Sequence, residues 1–181
     1  MGEVQVTAGQ RITAAVLNNL PVTVSPLATG SVASSAAETV VGSFTIPAGD
    51  PVATFGYRLV CMGTADDTGT PTLTIRARLT SAGGTLLAGY GALTCRSGIT
   101  GMPWSVKSEI FFPVTGAGGS FDWDGCLYQQ LSVSPGTVLT TASYGNAADT
   151  TAPVLIVITA QWGASSASNI CRTLDGGLGR I

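Results

Sequence analysis

The sequence predicts an all-β protein, an antiparallel two-sheet sandwich of jelly-roll type preceded by a short N-terminal arm and helix. Three observations carry that prediction. Short apolar or alternating runs recur from residue 36 to the C-terminus at the spacing of sandwich strands. Turn signals rich in Gly, Pro and Asp separate them. No long helical pattern interrupts the series.

Residues 1–35 read differently from the rest and form an anchoring arm. Thr13 is a candidate N-cap for a helix through Ala14, Ala15, Val16, Leu17 and Leu20, which Pro21 ends. Val16, Leu17 and Leu20 fall on one face. Two helical turns are unstable alone in water, so the segment must dock on something. Val6, Ile12, Val16, Leu17 and Leu20 are the residues expected to anchor it. Pro21 to Ser35, rich in Pro, Ser, Ala and Thr, reads as an extended connector.

Residues 36–181 form the sandwich domain. The expected strands are Thr39–Ile46, Ala53–Met62, Thr70–Leu79, Thr85–Leu93, Trp104–Val114, Cys126–Val133, Val138–Tyr144 and Pro153–Trp162. Pro47-Ala48-Gly49-Asp50, Asp66-Asp67-Thr68-Gly69, Ser81-Ala82-Gly83-Gly84, Gly116-Ala117-Gly118-Gly119 and Ser134-Pro135-Gly136 punctuate them. Alternation is cleanest in Thr72–Leu79, where Leu73, Ile75, Ala77 and Leu79 share a face. Val154-Leu155-Ile156-Val157-Ile158 is apolar throughout, as for a strand buried on both sides. One side serves the core, and a neighbouring subunit is the expected cover for the other.

Charge narrows the function. Charged residues make up 10% of the 181, with a net charge of −2, against about 25% in soluble domains. A folded monomer of this size exposes roughly 8,000 Å², which so few charges cover thinly. A sparse, near-neutral surface suits burial between subunits better than free diffusion. Nucleic acid is not an expected partner, because phosphate binding needs clustered Lys and Arg and here they are scattered. Arg76 and Arg78 share a strand face, read as a solvated face or an intersubunit ion pair. No apolar stretch approaches the ~20 residues of a helical membrane span, so no membrane is expected either. Met1 to Gln5 shows neither a basic nor an apolar leader region, so the chain is expected to stay in the cytosol until it assembles.

The chemistry-bearing residues are few. The chain has no His, so Ser-His-Asp and Cys-His nucleophilic mechanisms lack their base. Lys107 is the single lysine and makes no dyad. Cys61, Cys95, Cys126 and Cys171 lie far apart and read as free, buried thiols. Asp122 and Asp124 flank Trp123 in Phe121-Asp122-Trp123-Asp124-Gly125. In a strand the two carboxylates share one face and Trp123 takes the other. Paired carboxylates and aromatics are the material of a glycosidase or a sugar site; the simpler reading is a loop or strand end whose acids face water or cap amides. Asp-x-Asp-Gly is a fragment of a calcium loop without its bidentate Glu, and Asp66-Asp67 is more simply a turn. The expectation is therefore no catalytic residue, no metal and no cofactor. The ligand loop worth testing holds Trp104, Asp122, Trp123 and Asp124, although large aromatics in a sandwich are usually core or interface.

Two stretches carry a resemblance. Val6-Thr7-Ala8-Gly9-Gln10-Arg11-Ile12-Thr13-Ala14-Ala15-Val16-Leu17-Asn18 is similar to an N-terminal signature of many bacteriophage structural proteins. Ile158-Thr159-Ala160-Gln161-Trp162 through Asn169 resembles the closing strand of phage fibre and head-fibre jelly rolls. Glu38-Thr39-Val40, Thr45-Ile46-Pro47-Ala48-Gly49 and Trp104 to Ile110 fit the same pattern in order and spacing. The resemblance implies a homotrimeric virion component, a capsid decoration or head-fibre protein held to a capsid or tail protein by its N-terminal segment. The alternative it implies is a tail-fibre or baseplate domain that recognises a host surface glycan.

Overall fold

The computed structural model describes residues 23–53, 55–131 and 137–181. They form twelve strands: β1 Thr23–Pro26, β2 Ala28–Thr29, β3 Ser31–Ala33, β4 Thr39–Ile46, β5 Gly56–Asp66, β6 Thr72–Leu79, β7 Leu86–Thr94, β8 Met102–Val114, β9 Ser120–Gln129, β10 Thr137–Ala147, β11 Val154–Trp162 and β12 Ile170–Arg180. Among the described residues there is no helix. The expected N-terminal helix and Val6, Ile12, Val16, Leu17 and Leu20 lie outside the described residues.

Two antiparallel sheets face each other. The seven-stranded sheet runs β1-β12-β5-β8-β9-β10, with β3 also paired to β12; the five-stranded sheet runs β2-β4-β11-β6-β7. The stretch read as a connector is extended, and from Thr23 it joins both sheets: β1 and β3 pair with β12, and β2 pairs with β4. Alternation sets the layers. In β6 the burial pattern is strictly alternate, with Leu73, Ile75, Ala77 and Leu79 inside. From the other sheet, Tyr57, Leu59 and Cys61 of β5 and Val106, Ile110 and Phe112 of β8 point inward to meet them. Tyr57 meets Phe112 edge-on and Phe112 meets Phe121 at a tilt of 39°, with ring centroids 5.7 and 5.6 Å apart.

The apolar run of β11 sits in the middle of the smaller sheet, between β4 and β6. Its outward Val157 is 2% exposed within a single chain. Val157 is thus buried within the single chain, in register with Ser43 of β4 and Arg78 of β6. Arg76 and Arg78 do share this face, and their partner is within the chain: Glu38. Its carboxylate accepts from Arg76 at 2.9 Å, from Arg78 at 2.6 and 3.1 Å, and from Thr159 at 2.6 Å. Burial pushes Glu38 up, but the hydrogen bonds from Arg78 and Thr159 and the charges of Arg76 and Arg78 outweigh it and hold the carboxyl below its ordinary value.

The cysteines are free, and Cys61, Cys95 and Cys171 are buried. Burial pushes the thiols of Cys61 and Cys95 up to about 12 and raises Cys171 as well, so they pack as small apolar groups. Cys126 is half-buried.

Candidate functional site

The outer face of the seven-stranded sheet is where the molecule departs from an ordinary sandwich. Strand register puts Asp175, Met62, Ser105, Tyr128 and Val138 in one row across β12, β5, β8, β9 and β10. These are the outward positions of each strand, where alternation normally places polar side chains. Met62 is 41%, Tyr128 42% and Val138 49% exposed. A register shift between Thr173 and Asp175 of β12 leaves Leu174 standing off the sheet, 58% exposed. Together they bound a groove of about 530 Å³ that is also lined by Thr64 and Gln130.

Gly63 is also part of the groove lining. A Cβ there would lie 2.4 Å from the Trp104 ring and 2.1 Å from the Arg172 carbonyl oxygen. Only glycine lets the indole pass under β5 toward β12. Lys107 holds its ammonium 5.0 Å from the Tyr128 ring centroid, a cation–π contact that steadies the wall of the groove.

The ligand residues expected from sequence are not gathered into a loop. Trp104 lies in β8 and Trp123 in β9, 2% and 0% exposed. Both are core residues, and Trp104 borders the groove only from below. Asp122 and Asp124 lie on the outward face of β9, opposite in direction to Trp123, as the strand reading requires. Asp122 accepts a hydrogen bond from the Gly145 amide at 2.8 Å, and Asp124 pairs in register with Glu109, itself bonded to Arg58 at 2.8 Å. Arg58 and Glu109 are both 46% exposed, so this is a surface pair of small energetic weight. Asp122 therefore pins the β10 bulge. Among the described residues no group of three or more His, Cys, Asp or Glu is placed to hold a metal.

Asp66 and Asp67 are structural. Asp66 accepts from the Gly101 amide at 2.6 Å and pairs with Arg172. Asp67 is buried, accepts from the Gly98 amide at 3.1 Å, and leaves Oδ2 without a hydrogen-bond partner among the described residues. Burial raises its carboxyl above the ordinary value against the pull of the Gly98 and Ile99 amides. The two acids fasten the 95–101 loop to the end of β5.

The groove residues themselves escaped the sequence reading. The signal was present: Met62 and Tyr128 are apolar or aromatic at positions whose neighbours two along, Val60 and Thr64 or Cys126, mark the outward face. Only the register of five strands shows that they meet.

No family model matches the chain, and no curated protein matches it. Among solved structures, the CBM2 module of the evolved Dit of Lactobacillus casei BL23 phage J-1 is similar at a TM-score of 0.35 and 15% identity, over 84% of this chain and 75% of that one. A likeness of that size does not establish a shared fold.

Proposed function

We propose that this chain is a non-enzymatic structural subunit of a bacteriophage particle that works as a homo-oligomer, with the outer face of its larger sheet covered on assembly. The observation that carries the reading is the apolar groove crossing five strands of that face. Contiguous exposed apolar surface in a monomer marks an interaction site, and the low charge of the rest of the chain points the same way. The bacteriophage part of the reading rests on the N-terminal and C-terminal resemblances. With it go the finer expectations: a jelly-roll topology, a trimer, a capsid-decoration or head-fibre place, and attachment through Val6, Ile12, Val16, Leu17 and Leu20.

Light scattering on the purified chain tests the assembly claim. The wild type should run as a multimer at tens of micromolar, and a Met62→Glu, Leu174→Glu variant should run at a lower mass with unchanged melting. A wild type that stays monomeric over that range overturns the reading. Tyr128 beside Ser105, Thr64 and Gln130 favours one second reading, a host-glycan site in the same groove on a tail-fibre or baseplate domain. Saturable binding of envelope polysaccharide that is lost in a Tyr128→Ala variant would select it.

A further inference from the structure

The sheets have four ends, and three of them are blunted against pairing. At one side β1 has four residues including Pro26, β2 has two and β3 has three, too short to template a further strand. At the other side β7 has nine residues, but its register with β6 slips twice and Gly91 sits at a φ of +72°.

The fourth end is different. From Thr137 to Ser143, β10 keeps unbroken register with β9, Thr137 against Gln129 through Ser143 against Trp123. The whole strand Thr137-Val138-Leu139-Thr140-Thr141-Ala142-Ser143-Tyr144-Gly145-Asn146-Ala147 has no charge and no proline. Its bulge comes only after the regular stretch, between Ser143 and Asn146, with Gly145 at a φ of +64° held by Asp122. β7 of the smaller sheet packs against β10, but among the described residues no strand and no turn or loop amide hydrogen-bonds to the outer side of residues 137–143. A long, neutral edge in unbroken register is what proteins usually avoid unless another strand completes it.

We propose that β10 pairs with β10 of a second copy, antiparallel about a two-fold axis at Thr140. This deepens the assembly reading, on which it rests, by naming one of its contacts. The two-fold overlaps the full regular stretch and sets Thr140 against Thr140 and Val138 against Ala142. Those pairs are small or β-branched and bring no like charges together, as cross-strand pairing requires. Residues directly opposite point to one face, so the outward row that ends in Val138 continues onto the partner's Ala142. A second copy fits better than a foreign peptide because the neutral stretch is self-complementary and the contact is isologous. It closes at two copies and leaves no free β10 to propagate a fibre.

The side chain of Thr140 is exposed on the outer face, so a charge there leaves the core untouched and faces its own copy across the axis. Thr140→Lys and Thr140→Glu should each melt like the wild type and halve its mass, and an equimolar mixture of the two should restore the full mass. The wild-type mass should be two copies or a multiple of two; the trimer of the proposed function then occurs as two trimers joined through β10. A wild-type multimer indifferent to both substitutions, or one of odd copy number, overturns edge pairing. If that multimer still falls apart with Met62→Glu and Leu174→Glu, the assembly reading stands without this contact. A monomeric wild type overturns both.

Discussion

Replacing Glu38 by Gln removes the charge that two arginines share on the outer face of the smaller sheet while keeping the side chain's shape. Four hydrogen bonds converge on this carboxylate, three from guanidinium groups, and the three charged side chains are only 17–22% exposed. Breaking a fully buried ion pair from one side costs about 3–5 kcal/mol, whereas an exposed pair contributes about 0–1. The site lies between these limits. Arg76 keeps a bond to Gln161 and Arg78 keeps one to the Gly84 carbonyl, both at 2.9 Å, so neither is stranded. The expected loss is about 2–3 kcal/mol at pH 7, a fall in Tm of roughly 4–12 °C for a chain of this size. Urea unfolding followed by the fluorescence of the buried tryptophans measures it. The pH dependence supplies a second check. The folded Glu38 carboxyl titrates below its ordinary value, so its contribution is full above the unfolded pKa of 4.5 and is lost as pH falls through the folded value. The gap between wild type and variant should therefore be open at pH 7 and close in strong acid. A gap under about 0.5 kcal/mol, or one that persists undiminished at low pH, would refute the argument that the carboxylate charge holds this face.

Three further outcomes follow from the packing. Gly63→Ala should destabilise the fold by about 3 kcal/mol or more, beyond ordinary overpacking because one obstructing atom is backbone; a loss under 1 kcal/mol by the same unfolding assay would mean that Trp104 can move aside. Asp67 has a raised folded pKa, so its native-state advantage is present below 3.8 and is lost as pH rises through the folded value. Asp67→Asn should accordingly match the wild type in acid and exceed it in stability at pH 7, and equal pH slopes would contradict that. At pH 8 a thiol reagent should label Cys126 alone in the native protein and all four cysteines after unfolding; rapid native labelling of two or more would contradict the burial of Cys61, Cys95 and Cys171.

Much of the scaffold was legible where alternation is strict. The expected Thr39–Ile46 matches β4, and the inward set Leu73, Ile75, Ala77 and Leu79 is the one that β6 buries. Strand β12 went unseen because Asp175-Gly176-Gly177 breaks its alternation; it is a strand because β5 holds one side of it and β1 and β3 the other. The start of β9 was hidden for a different reason. Phe121-Asp122-Trp123-Asp124 looks acidic enough for a loop, yet the aromatics face in and the acids out with period two. Function was harder to read than fold. Trp104 and Trp123 attracted attention as ligand platforms, but their size makes them core. The groove depends on Met62, Tyr128, Val138 and Leu174, which lie on four strands from across the chain and meet only through register. Glu38 similarly precedes β4 in sequence, and nothing local marks it as the partner of Arg76 and Arg78.

Quantitative mass spectrometry of purified bacteriophage particles, separated into head and tail fractions, decides whether the chain is a virion component. The chain is expected in the particle at a fixed copy number above one, in the head fraction for a decoration or head-fibre subunit and in the tail fraction for a fibre or baseplate domain. Its absence from both fractions, with the chain present in the lysate, would contradict the assignment to the virion.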